Sequence, residues 1–140
     1  MKNSFITLFC IVLIFSVNIK AFAFVDLSEI KAPAELKNIY AKTLGSNKDA
    51  TAVVLFIAKS VAPHYHAEHT ELIYILEGEA ILALDDTRQV IKAGHFIRVE
   101  PKVIHAVQVT SDIPLKVLSI QTPEFSGKDR IFVKKELYHN

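Results

Sequence analysis

His64-Tyr65-His66-Ala67-Glu68-His69-Thr70-Glu71-Leu72-Ile73-Tyr74-Ile75-Leu76-Glu77-Gly78-Glu79-Ala80-Ile81-Leu82-Ala83-Leu84 decides how this chain is read. Residues 71–77 and 79–84 are two short apolar runs, the length of strands and shorter than an ordinary helix. Gly78 separates them, so Glu77 and Glu79 read as solvated hairpin residues and not as a catalytic carboxylate pair. Strand alternation turns Glu71, Ile73 and Ile75 to one face and Leu72, Tyr74 and Leu76 to the other. Both faces are apolar, so the strand needs cover on both sides. A second copy of the chain is the favoured cover, which predicts a homodimer; the N-terminal segment is the alternative.

The same pattern extends outward. Residues 50–59, 87–92, 96–99, 106–110 and 115–121 read as further strands, punctuated by Asp85-Asp86, Ala93-Gly94, Pro101 and Ser111-Asp112. Residues 38–44 read as an edge strand or a short helix, before the turn cluster Gly45-Ser46-Asn47-Lys48-Asp49. Ser28 reads as a helix N-cap, with Pro33 limiting how far a helix could run. No convincing amphipathic helix follows residue 45. The fold class is all-β, a sandwich or barrel.

The 140 residues suffice for one domain, and a chain 51% hydrophobic and 22% charged is not disordered. Sixteen basic against 15 acidic residues give no nucleic-acid footprint. The N-terminus is distinct: Lys2 precedes an almost wholly apolar run from Phe5 to Val17, then Lys20 and Ala21-Phe22-Ala23. This predicts a secretory signal peptide cleaved after Ala23, and hence a periplasmic or secreted protein with no membrane association after cleavage. An uncleaved anchor is the alternative, on a run shorter than the roughly 20 residues a spanning helix needs. Cleavage removes Cys10 and leaves a cysteine-free chain that needs its core, association or a metal in place of disulfides.

Chemistry concentrates between residues 64 and 105. His64 and His66 on a strand share one face, about 6.6 Å apart along the chain, close enough to converge on one ion. Glu71 opens the next strand and supplies an anionic oxygen, and His105 is placed to close the site from a neighbouring strand. His69 lies in the intervening loop, where a solvated residue is expected in preference to an outer partner of the site. His95 and His139 read as outer turn and tail residues, and Lys134-Lys135 as a solvated end. There is no phosphate loop, no Gly-x-Ser-x-Gly elbow and no cysteine nucleophile in the mature chain.

The segment His64-x-His66-x4-Glu71-x6-Gly78 resembles the first motif of the cupin superfamily, and the segment from Gly94 to His105 resembles the second. The sequence departs from those motifs at Ala58, Glu100, Lys102 and Val109, where glycine, proline, glycine and asparagine are usual, and at His95, where aspartate often stands. The resemblance implies a small single-domain, double-stranded β-helix (a jelly-roll barrel) with a short N-terminal extension. It also implies that His64, His66, Glu71 and His105 are metal ligands. The expected organisation is a signal peptide at 1–23, an N-terminal extension with the edge strand at 24–49, the cupin barrel at 50–122 and a C-terminal segment at 123–140.

Three imidazoles and one carboxylate suit Fe, Mn, Ni, Co or Zn as divalent ions. On an octahedral ion they leave two positions for a small polar or anionic ligand. The expected function is metal-dependent binding of such a molecule, with oxidation, decarboxylation or isomerisation as the candidate reactions. The alternative is a non-catalytic module for a sugar or organic acid. No residue beyond the ligands stands out as catalytic, and fold analogy does not choose among these.

Overall fold

The computed structural model describes residues 24–133. The leader expected at 1–23, and Lys134, Lys135 and His139 in the tail, lie outside the described residues.

The described residues form an all-β double-stranded β-helix of two five-stranded antiparallel sheets. One sheet runs in the order β1 (Ile39–Asn47), β2 (Ala50–Ile57), β9 (Leu115–Thr122), β4 (Thr70–Glu77), β7 (Phe96–Val99). The other runs β10 (Arg130–Phe132), β3 (Ser60–His66), β8 (His105–Val109), β5 (Glu79–Leu84), β6 (Thr87–Lys92). Residues 38–44 thus resolve as strand, paired with β2 from Ile39↔Ile57 to Asn47↔Ala50. The inner faces meet in a core of Ile57, Ile75, Ala80, Leu82, Ile91, Leu115 and Val117. Each fully buried Leu or Ile there contributes about 1.5–3 kcal/mol.

Gly78 is not a hairpin. β4 and β5 belong to different sheets, and the chain crosses between them at Gly78 with φ +83°. A Cβ there would meet the Pro114 carbonyl at 2.9 Å and Leu115 Cα at 3.0 Å, so the crossing needs glycine twice over. Glu77, on the near side, is tied to Lys116. The hairpin in this region lies one strand later, where β5 meets β6 across Asp85-Asp86, with Asp85 at φ +45°.

Alternation along β4 holds. Glu71 and Ile75 are buried inward, and Tyr74 is exposed on the other face. Part of that outer sheet surface is covered by the N-terminal segment: Ile30 packs with Val54 and Phe56 beside Leu27 and Leu36. A 3-10 turn at Leu27–Glu29 is capped by Asp26, whose Oδ1 accepts from the Ser28 amide at 2.8 Å; Ser28 is therefore not the cap. Lys116, 2% exposed, locks the segment down by donating to the Leu27 carbonyl and to Glu77 Oε1, both at 2.9 Å.

Candidate metal centre

Antiparallel register builds the site. On β3 and β8, His64 stands opposite His105, and His66 lies two residues along β3 on the same face. Glu71 projects from β4 in the facing sheet. All four are buried: His66 is 1% exposed and Glu71 6%. Ring nitrogens of His64, His66 and His105 lie within 4.8 Å of one another. Glu71 Oε2 sits 3.6 Å from His66 Nε2 and 3.4 Å from His105 Nε2. The four residues singled out by sequence spacing are therefore brought together.

The tautomers follow from the hydrogen bonds. His64 Nδ1 lies 2.9 Å from the Ala62 carbonyl, and His105 Nδ1 lies 3.0 Å from the Val103 carbonyl. A carbonyl only accepts, so Nδ1 carries the proton, and in the neutral ring Nε2 presents a lone pair. In both cases the partner is the carbonyl two residues upstream, a geometry the strand backbone supplies locally. Burial, then the facing His105, pushes the His64 pKa down to about 4, which keeps the ring neutral at pH 7.

Glu71 carries the compensating charge. Burial pushes its carboxyl up, but His105, His66 and Ser119 outweigh that and hold it well below the usual carboxylate range. Ser119 Oγ donates to Oε1 at 2.5 Å and Gln121 Nε2 does so at 3.3 Å. Oε2 is left facing the imidazoles at distances beyond a normal hydrogen bond. Both nitrogens of His66 and Nε2 of His105 are buried without a hydrogen-bond partner. Orphaned buried nitrogens are rare and expensive. Lone pairs converging on an anionic oxygen in a low-dielectric interior fit a divalent cation.

His69 departs from expectation. It is not a solvated loop residue: it is 5% exposed, with Nδ1 on Asp129 and Nε2 2.7 Å from the Glu124 carbonyl. Asp129 also accepts from the amides of Ala67, Glu68 and His69 at 3.0–3.2 Å, clamping the C-terminal segment across the loop between β3 and β4. Phe125 in that segment lies edge-on to both His66 and His69. His95 is half-buried in the turn before β7 and is not one of the clustered histidines.

Sequence reasoning missed Ser119, Gln121, Asp129 and Arg130. The first two had a signal: on β9 they continue the inward face of Leu115 and Val117, where polar residues need a buried partner.

Comparison with known proteins gives a consistent picture. A family model for the cupin domain matches residues 53–121. A protein of Aquifex aeolicus described as uncharacterized is 28% identical over 111 residues, covering 78% of this chain and 91% of its own. Among solved structures, KdgF from a Halomonas species is similar with TM-score 0.65 at 17% identity, covering 75% of this chain and 98% of that one. An RmlC-like cupin from Shewanella frigidimarina is similar with TM-score 0.60 at 21% identity, covering 76% and 96%.

Proposed function

This chain belongs to the cupin superfamily, and we propose that His64, His66, Glu71 and His105 hold one divalent transition metal at which a small polar or anionic molecule is bound. The observation that carries this reading is the set of unpartnered buried nitrogens on His66 and His105 around Glu71 Oε2. The metal, when bound, supplies Lewis acidity and open coordination positions. The chain's own residues do the rest. The Ala62 and Val103 carbonyls fix the tautomers of His64 and His105. Ser119 and Gln121 fix the rotamer of Glu71. Ile73, Ile75 and Val117 help line a cavity of about 110 Å³ that reaches His64, Glu71 and His105 and limits water there.

Oxidation, decarboxylation and isomerisation are the reactions this donor set serves; a non-catalytic sugar or organic-acid module is the alternative. The test is to screen small acids and sugars for thermal stabilisation and for product, with and without chelator. An enzyme gives product that chelation and His66→Ala abolish in a folded protein. A binding module gives stabilisation without product. Stabilisation by neither ligand nor metal overturns both.

The apolar leader supports export, which N-terminal sequencing of the mature protein checks by a start at Phe24. Tyr74 and Phe96, paired across β4 and β7 and 42% and 63% exposed, support a homodimer. Sedimentation of wild type against Phe96→Glu checks it.

A further inference from the structure

Arg130 is the cation that the metal centre leaves unexplained. It opens β10, and the register of β10 on β3 sets Arg130 opposite His66 and Phe132 opposite His64. Directly paired residues of an antiparallel ladder share a face, so Arg130 turns toward the site with the two histidines. It lines the same cavity of about 110 Å³ as His64, Glu71 and His105. It also lines the adjoining groove beside Ser119, Gln121 and Phe125. It therefore stands where the groove meets the cavity.

Among the described residues its charge has no answering anion. Arg130 Nε is buried and has no hydrogen-bond partner. Among the described residues no carboxylate forms an ion pair with its guanidinium. The neighbouring carboxylate, Asp129, is spent on His69 and three amides. The guanidinium rests over the Phe125 ring, with Cζ 5.8 Å from its centroid, which orients the fork without neutralising it. Arg130 is half-buried, with its Nε shut away from water, and beside a divalent metal held by a single carboxylate it would leave the site with excess positive charge that an anionic ligand would offset.

We infer that Arg130 is the anion-recognising residue of this site, and that its ligand is a small carboxylic acid whose apolar chain lies in the barrel cavity. The planar fork matches a carboxylate with two parallel hydrogen bonds. The cavity walls, which include Leu55, Ile57, Ile73 and Leu82, accept carbon, and apart from His64, Glu71, His105 and Arg130 no side chain lining them can hydrogen-bond a polyol. A phosphate, with more charge and more acceptor oxygens, would want further donors than Arg130 alone supplies. This deepens the metal-centre reading but does not require it, because the charge of Arg130 exists with or without the ion.

The test is calorimetry with butyrate, butyramide (the neutral counterpart of the same shape) and inorganic phosphate. Wild type, Arg130→Gln and Arg130→Lys are each measured metal-loaded and chelator-stripped, with metal content and circular dichroism recorded for every sample. Wild type is expected to bind butyrate and discriminate against butyramide. Arg130→Gln should weaken butyrate binding about ten- to hundredfold while keeping its metal and fold. Arg130→Lys should fall between, having charge without the fork. If Arg130→Gln does not fold, Arg130→Lys and the butyrate-to-butyramide ratio in wild type decide. Equal binding of butyrate and butyramide, unchanged butyrate affinity in Arg130→Gln, tighter binding of phosphate, or no butyrate binding at all would each overturn the inference. A wild type that holds no metal yet binds butyrate through Arg130 would sink the metal reading and leave this one standing.

Discussion

Ser119 on β9 donates its hydroxyl to Oε1 of Glu71 on β4 across 2.5 Å, inside the barrel where both are buried. The bond occupies one carboxylate oxygen and aims the other at the imidazoles. Ser119→Ala should therefore weaken metal binding by about 10–100-fold with the fold intact, the usual cost of losing an outer partner of a ligand. Competition against a chelator of known affinity measures it, and an unchanged affinity contradicts the role given to Ser119.

Asp129 is expected to hold the C-terminal segment in place. It gathers three amides and His69. Asp129→Ala should cost about 2 kcal/mol or more, the scale of losing hydrogen bonds to a charged group. It should also expose β10 and its neighbours first. Hydrogen exchange reads this directly: amides of Arg130 to Phe132 lose protection in the variant while those of β4 and β9 keep theirs. Uniform loss across the barrel would contradict a local clamp.

In the metal-free protein, acid should destabilise the fold before the carboxylates titrate. Folded His64 is pushed down to about 4 by burial, whereas in the unfolded chain it titrates near 6.5. The unfolded chain binds the extra proton between those values, so stability is complete above about 6.5 and drains away as pH falls toward about 4. Glu71, held low, adds a loss of the same sign further into acid. Urea midpoints of chelator-treated protein should drop between pH 7.5 and pH 5 by the equivalent of about 1–2 kcal/mol. A midpoint that holds or rises contradicts this.

Lys102 sits at φ +70°, a left-handed conformation that costs a side-chain-bearing residue about 1 kcal/mol. Its amide nevertheless donates to the His66 carbonyl at 2.6 Å and fixes the turn that delivers His105. Lys102→Gly should be neutral or raise stability by up to about 1 kcal/mol with metal affinity unchanged, and Lys102→Val should lower stability. Thermal melts of both variants check the pair, and a destabilising glycine contradicts it.

What could be read from the sequence was what is local. His64 and His66 lie two apart on one strand face, and the spacing to Glu71 and Gly78 carried the family resemblance. The inward set Glu71, Ile73 and Ile75 followed from alternation alone. What escaped depended on partners far along the chain. His69 looked like a loop residue because Asp129, which buries it, lies 60 residues away. Gly78 looked like a hairpin because a glycine between two apolar runs does not say whether the chain returns to the same sheet or crosses to the other. Arg130 lies on a three-residue strand too short for any periodicity, and its meaning comes only from pairing with His66.

The central claim is tested most directly by the metal content of protein purified from the compartment where it folds, with melting temperature followed on adding Fe, Mn, Ni, Co or Zn to the stripped form. The account predicts one divalent ion per chain and a rise in melting temperature that His66→Ala abolishes, as mass action on a folded-state site requires. No bound ion, and a melting temperature indifferent to all five metals, would contradict it.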